Sequence, residues 1–244
     1  MKIRITWQYF IAFFALNGVI SELHEQAHIN VGRLVHGCYG PRDFNNWNSC
    51  ATGSQSLPWA APLAGPLFSY FVMWLGVWML GRARTIAQKS LAFSIIFAPL
   101  PFARIFTAAM GGGDEKILMT RIFLGMPEGV ARWLALALTL AICLPPIVIA
   151  CRALSNRLRV WYVAGFCIVP LIVIWCYKLK FLNGLLLQGL FAEPSILGTP
   201  LFVHIVFGIM LATVIAMRGW LQRIDGRLPL IRGINEEELV RSAA

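Results

Sequence analysis

The sequence predicts an all-α fold: a polytopic membrane helix bundle of about six transmembrane helices, with both termini cytoplasmic. Three observations support this prediction. The chain has 244 residues, of which 58% are hydrophobic and only 13% are charged, a more apolar balance than soluble domains have. Several apolar segments reach the roughly 20 residues that a helical span requires. Basic residues are concentrated in alternate connections between these segments, as the positive-inside rule requires.

Six segments are apolar and long enough to be spans, and they leave little chain for a soluble domain. Their approximate ranges are 5–30, 57–81, 90–110, 128–151, 160–177 and 200–217. We therefore expect one integral membrane domain over 1–217, followed by a cytoplasmic tail over 218–244. Prolines in the second and third segments predict broken helices there.

Lysine and arginine are clustered in four regions that six spans place on one face of the membrane. More than half of the 21 basic residues lie in these regions, and the positive-inside rule makes that face cytoplasmic. They are Lys2, Arg4, Arg82, Arg84, Lys89, Arg152, Arg157, Arg159, Arg218, Arg223, Arg227, Arg232 and Arg241. The predicted location is a cell membrane of the bacterial inner-membrane type, with the lipid bilayer as partner. No nucleic acid is expected, because no basic stretch carries interleaved aromatics or a binding-fold signature.

The first segment carries a group of polar residues, "SELHEQAH", toward its outer end. Residues four apart share a helix face, so His24 and His28 can direct ring nitrogens at one metal ion, with Glu25 beside them. H-E-x-x-H is the pattern of zinc peptidases, in which two neutral imidazoles hold Zn²⁺ and the glutamate takes a proton from water. Asn17 and Ser21 extend this face, and the resulting stripe points inward because polar groups facing lipid are costly.

A catalytic zinc site needs a third protein ligand and one open position. We favour Asp114, in "MGGGDEKI". The first segment runs outward over about 30 Å to its histidines, and the third segment also runs outward and ends just before Asp114. Glu115 and His36 are the alternates. The metal site is therefore expected near the extracytoplasmic face.

Three stretches, "HEQAH", "PLAGPLFSY" and "FAPLPFARIFTAAMGGGDE", resemble the site-2 protease family of intramembrane zinc metalloproteases. Gly65 and Pro66 match its A-G-P-x-x-N element, in which Ser69 replaces the asparagine. Asp114 corresponds to the aspartate of its N-x-x-P-x-P-x-x-D-G element. The resemblance implies a divergent member without a PDZ or CBS domain, with a metalloprotease-like core over about 5–125. It implies a zinc endopeptidase that hydrolyses peptide bonds of membrane or membrane-proximal substrates by metal-activated water. The protein or peptide substrate is not identified.

Two other functions stay open. One is a metal transporter or metal-sensing membrane protein, in which the same histidines and carboxylates form a transit site. The other is a catalytically inactive protease homologue. A di-iron desaturase, which H-x-x-x-H also suggests, resembles this chain poorly because such enzymes carry many more histidines than its four.

Cys38 and Cys50 bracket the first external loop, which lies on the oxidising side of a bacterial membrane. The two thiols can form a disulfide or stay reduced, and alkylation without reductant distinguishes the two states.

Overall fold

The computed structural model describes residues 1–50 and 57–226, and it confirms the all-helical prediction. In chain order the helices are α1 (Trp7–His36), α2 (Ala60–Arg82), α3 (Ile86–Phe97), α4 (Pro101–Ala109), α5 (Asp114–Ile122), α6 (Glu128–Arg152), α7 (Arg159–Ile174), α8 (Asn183–Leu187) and α9 (Leu201–Leu221). A π-helical segment, Trp175–Leu182, joins α7 to α8, and a short 3₁₀ turn, Ile196–Gly198, precedes α9. Predictions made for 227–244, most of the expected tail, lie outside the described residues.

Within the described residues, five helical stretches are long and apolar enough to cross a membrane. They are Ala60–Arg82, Ile86–Ala109, Glu128–Arg152, Arg159–Leu187 and Leu201–Leu221. Only 6% of the apolar window of the last stretch is buried, so its apolar side chains face outward, as expected where the surrounding solvent is lipid. α1 has the length, 30 residues, but its many polar residues exclude it from this group. The sixth span and the orientation of the termini therefore stay predictions.

α1 packs along both α2 and α9. It begins at a Thr6 cap, whose hydroxyl accepts a hydrogen bond from the Tyr9 backbone N–H at 3.2 Å. It ends at Gly37, which takes a left-handed conformation with φ of 79°. Its first half packs into an aromatic cluster, where Phe166 makes edge contacts with Tyr9 and Phe13. This apolar packing holds the polar second half of α1 in place.

The third apolar stretch is broken between α3 and α4, as predicted. Pro101 has no N–H to donate to the Phe97 carbonyl, which accepts instead from the Leu100 N–H at 3.0 Å. Leu100 takes a left-handed conformation with φ of 54°. The Asn17 side-chain amide donates to the Ala98 carbonyl at 2.6 Å. The polar stripe of α1 therefore provides a hydrogen-bond donor to a backbone carbonyl at the break.

The predicted break in α2 and the predicted end of the last span differ from the structure. α2 continues without interruption through Pro66, so the predicted break in the second span is wrong. α9 continues to Leu221, and Ile224 is fully buried, so the predicted tail boundary after residue 217 falls inside a helix. Hydropathy marks where apolar side chains stop, whereas hydrogen bonds and packing decide where the helix ends.

The four basic regions of the sequence meet at one end of the bundle. The Met1 ammonium donates to the Ala153 carbonyl at 2.7 Å, which joins the amino terminus to the loop after α6. The Arg4 N–H donates to the Ile224 carbonyl at 2.7 Å, and the Ser90 hydroxyl accepts from the Ile224 N–H at 2.9 Å. The start of α3 and the end of α9 therefore lie at this same end.

Candidate metal centre

His24 and His28 are neighbours on a buried face of α1. They are 8% and 1% exposed, respectively. Their Nε2 atoms lie 3.1 Å apart, and the two rings are nearly perpendicular, at 87°. The spacing of one helical turn therefore brings one nitrogen of each ring to the same point.

Asp114 reaches that point from α5. It is the first residue of the helix and follows Gly111 and Gly113, which have φ values of 79° and 86° and so allow the sharp turn before it. Its Oδ2 atom lies 3.3 Å from His24 Nε2 and 3.5 Å from His28 Nε2. Across residues 1–50 and 57–226, these three side chains are the ones grouped closely enough to hold a metal ion, with ligand atoms within 4.8 Å of one another.

The outer nitrogens of both imidazoles have hydrogen-bond partners. His28 Nδ1 lies 2.6 Å from the Ala61 carbonyl oxygen, which can only accept, so Nδ1 carries the proton. His24 Nδ1 lies 2.9 Å from the Ser69 hydroxyl, which can accept in the same way. Both Nε2 lone pairs then face Asp114, as in metal sites whose histidines are oriented by a partner on the other nitrogen.

The three ligand atoms fit a zinc ion. Bonds of about 2.0–2.1 Å in a tetrahedron separate neighbouring ligand atoms by about 3.3 Å. The observed separations are 3.1, 3.3 and 3.5 Å. Two imidazoles and one carboxylate are three protein ligands, the number that catalytic zinc sites have, and Arg104 Nη2 lies beside them, 3.0 Å from His24 Nε2. The donor set and its spacing therefore favour a divalent cation.

Asp114 supplies negative charge to this group. Burial opposes ionisation of this carboxyl, but while the imidazoles of His24 and His28 are protonated, their hydrogen bonds to Asp114, together with the charges of His28 and Arg104, outweigh that effect. The pKa of the Asp114 carboxyl therefore lies well below its usual range.

α2 lies against both imidazoles at Gly65. A Cβ at this position would come within 2.6 Å of His24 Cε1 and closer still to the His28 ring, which real Cβ atoms do not do. Only glycine allows this approach of the two helices. Pro66 is buried beside it in α2, so the "AGP" triplet marks the contact between α2 and the histidines.

Glu25 lies where two cavities meet. One has a volume of about 310 Å³ and the other of about 180 Å³. Both are lined by Glu25 and Asp114, together with Asn45 and Asn46 of the loop above them. Glu25 is 6% exposed and lines space that water can enter.

Loop 37–50 covers this part of the molecule. The structure joins Cys38 and Cys50 in a disulfide, with their Cα atoms 6.1 Å apart. Trp47 stacks on the His28 ring with centroids 5.4 Å apart and an interplanar angle of 23°. The loop therefore closes one face of His28.

The other predicted site residues take separate positions. Glu115 and His36, the alternate ligands, lie outside the metal-binding group. Glu115 follows Asp114 in a helix and so projects about 100° away around the helix axis, and His36 lies about 12 Å beyond His28 along α1. Ser21 accepts a hydrogen bond from Lys178 Nζ at 2.6 Å.

Arg104 and Tyr70 are site residues that the sequence reasoning missed. Arg104 lies on α4, with Nη2 3.0 Å from His24 Nε2 and 3.5 Å from Asp114 Oδ2. Its Nη1 donates to Glu115 Oε1 at 2.6 Å, and the Tyr70 hydroxyl donates to the same oxygen at 2.6 Å. The available signal was an arginine inside the apolar run "FAPLPFARIF", since an ionisable residue within a span marks a candidate functional site.

Comparisons with protein-family models, with curated proteins and with solved structures gave no match. The resemblance to the site-2 protease family stays a prediction.

Proposed function

We propose that this chain is a membrane-embedded zinc metalloendopeptidase of the site-2 protease type. Its substrates would be membrane proteins or membrane-proximal peptides. The observation that carries the proposal is the convergence of His24, His28 and Asp114, whose ligand atoms lie 3.1–3.5 Å apart. Glu25 and Asp114 line the same two cavities.

Glu25 acts first as general base and then as general acid in the proposed reaction. Zinc, when held by the two histidines and Asp114, supplies Lewis acidity and favours deprotonation of water. Glu25 takes a proton from the attacking water and returns it to the leaving amine. Glu25 is only 6% exposed, while the cavity of about 310 Å³ has room for several waters at roughly 30 Å³ each.

We propose a bacterial inner membrane as the location, with both termini cytoplasmic and the site near the extracytoplasmic face. The four basic regions lie together at one end of the bundle. His24 lies about 26 Å along α1 from the start of that helix, close to the thickness of a bilayer's hydrocarbon core, about 30 Å. The site is therefore distant from the basic end.

Zinc content tests the proposal. Wild-type protein purified in detergent and loaded with zinc should hold about one ion, and His28→Ala and Asp114→Ala should each lose it, because three ligands are needed. His204→Ala is the control, since His204 Nε2 contacts the Ile196 carbonyl at 2.8 Å outside the ligand group.

Elemental analysis of the purified proteins gives the result. Wild-type protein without zinc would overturn the proposal. The Arg104 guanidinium would then be the cation that His24, His28 and Asp114 hold. Zinc lost from His28→Ala but retained by Asp114→Ala would place the third ligand elsewhere.

Glu25→Gln tests the mechanism. The variant should keep its zinc, because Glu25 is not a ligand, while hydrolysis of quenched-fluorescence peptides should fall at least about 10²-fold with loss of the general base. Retained turnover would contradict the mechanism. Zinc-loaded wild type without hydrolysis would favour an inactive homologue, and zinc uptake into vesicles that His24→Ala abolishes would favour a transporter.

A further inference from the structure

We propose that Arg104 binds an anionic oxygen of the substrate beside the metal position. That oxygen is either the scissile carbonyl oxygen, which gains charge during hydrolysis, or a free carboxylate at the end of the peptide. The inference rests on the proposed function, because a peptide substrate supplies both kinds of oxygen.

One side of the Arg104 guanidinium is fixed. Its side chain is 12% exposed, and Nη1 donates to Glu115 Oε1 at 2.6 Å. The Glu115 side chain is 1% exposed and also accepts from the Tyr70 hydroxyl at 2.6 Å. These bonds orient the guanidinium before any substrate arrives, which is what an effective electrostatic catalyst requires.

The other side of the guanidinium faces the candidate metal site. Nη2 lies 3.0 Å from both ring nitrogens of His24 and 3.5 Å from Asp114 Oδ2. Arg104 lines the cavity of about 310 Å³ together with Glu25. A substrate oxygen that enters between Glu25 and Asp114 therefore comes within reach of Nη2, whose N–H groups contact His24 and Asp114 before the substrate binds.

The charges in this cluster favour an anion there. Arginine stays protonated at all relevant pH values, and the Glu115 carboxylate compensates the charge of Arg104. At the metal position, the single charge of Asp114 compensates only part of the charge of a divalent ion. A dication and a guanidinium a few ångströms apart repel each other, and a negatively charged oxygen between them is attracted by both. A neutral carbonyl oxygen is attracted less strongly by these two cations, so its contact with Arg104 strengthens as the oxygen becomes charged during the reaction.

The hydrolytic step then balances as follows. The water oxygen bonds to the carbonyl carbon, its proton passes to Glu25, and the π electrons of the carbonyl become a lone pair on the oxygen that Arg104 holds. When the C–N bond breaks, this pair re-forms the C=O bond, and Glu25 gives its proton to the nitrogen.

Acetate binding to cobalt-substituted protein tests the inference without relying on activity. Metal content is measured first, and acetate is then titrated while the visible spectrum of Co²⁺ is recorded. Wild type should show a saturable spectral change, and Arg104→Gln should keep its cobalt but bind acetate at least about tenfold more weakly, because one charge-assisted hydrogen bond is lost. Arg33→Gln, which removes an exposed cation near the same end of α1, is the matched control and should bind acetate like wild type.

A second variant allows for instability. Because Arg104→Gln leaves the buried Glu115 carboxylate without its cation, the double variant Arg104→Gln/Glu115→Gln is measured beside it and should show the same loss. Unchanged acetate affinity in the metal-loaded variants overturns the inference and leaves the proposed function standing, as does a wild-type spectrum that does not respond to acetate. Wild type without metal overturns both proposals together.

Two peptides distinguish the sources of the oxygen. If Arg104 holds the scissile oxygen, Arg104→Gln should lower kcat about 10²–10³-fold on amidated and free-acid peptides alike. If it holds a terminal carboxylate, the variant should raise KM on the free-acid peptide alone. Unchanged kinetics on both peptides would overturn the inference.

Discussion

The imidazole of His28 has a fixed neighbour on each side. Trp47 stacks on one face of the ring, Gly65 of α2 lies against the ring, and the Ala61 carbonyl holds Nδ1 at 2.6 Å. A ring held in this way loses little conformational freedom when Nε2 binds a ligand. Preorganisation of the site therefore depends on residues that do not touch the metal position.

Gly65→Ala should remove zinc from the site while the bundle stays folded. The added methyl would come within 2.6 Å of His24 Cε1, so both imidazoles must move. Gly81→Ala is the matched control on the same helix, because a Cβ there meets nothing within 4 Å. Zinc content and thermal unfolding in detergent are measured for both. A Gly65→Ala protein with full zinc would show that α1 and α2 can separate without cost to the site.

Residue spacing predicted some of the candidate site and missed the rest. His24, Glu25 and His28 follow from the helical period, and Asp114 follows from the direction of the spans. Arg104 does not, because its position depends on the path of the chain after the left-handed Leu100, which hydropathy does not encode. The pairing of Glu115 with this arginine could not be predicted for the same reason.

At the scale of elements, loop 37–50 is joined to α1 by a buried ion pair. Arg42 donates from Nη1 and Nη2 to the two carboxylate oxygens of Glu22, each at 2.8 Å. The Arg42 and Glu22 side chains are 0% and 7% exposed. Removing one partner of such a pair leaves an uncompensated buried charge.

Arg42→Gln should lower the free energy of unfolding by about 3–5 kcal/mol. The double variant Glu22→Gln/Arg42→Gln should lose less, because no unpaired charge remains. Lys116→Gln is the control: its partner Glu128 is 86% exposed and 3.5 Å away, and exposed pairs contribute about 0–1 kcal/mol. Denaturant unfolding in mixed micelles gives the values. A double variant that loses as much as Arg42→Gln would contradict the explanation by an uncompensated buried charge.

Apolar runs predicted which segments are helical better than where the helices end. The fifth predicted span ends at residue 177, yet the helical stretch continues through a π-helical segment to Leu187. Lys178 lies in that segment and donates to Ser21 of α1 at 2.6 Å. A tertiary hydrogen bond within the protein therefore accommodates a charge that hydropathy treats as the end of a span.

At the scale of the whole molecule, the basic regions lie at the start of α1 and the site lies in its second half. The count of basic residues predicted that four regions share one face, and contacts such as Met1 with Ala153 place them together. Which face is cytoplasmic is a property of the membrane and not of the packing. Orientation is therefore measured directly.

Single-cysteine labelling checks the proposed orientation. Leu124 is 85% exposed in the connection that precedes α6, at the opposite end of α6 from the basic loop after Arg152. The Leu124→Cys variant should react with a membrane-impermeant maleimide on intact right-side-out vesicles. Ala83→Cys, at the basic end, should react only after permeabilisation. The background carries alanine at the four free cysteines, Cys143, Cys151, Cys167 and Cys176. The reverse pattern would place the site on the cytoplasmic face.

The stacking of Trp47 on His28 also has a kinetic consequence. With Trp47 on one side of the ring and α2 on the other, the His28 ring cannot turn away from a bound metal unless loop 37–50 moves, so the rate at which His28 releases the metal should depend on the loop as well as on the metal–ligand bond. Reduction of the Cys38–Cys50 disulfide should therefore speed zinc removal by a chelator while the equilibrium zinc affinity changes little. Stopped-flow transfer of zinc to a fluorescent chelator would measure this, and equal rates before and after reduction would show that the loop does not control exchange.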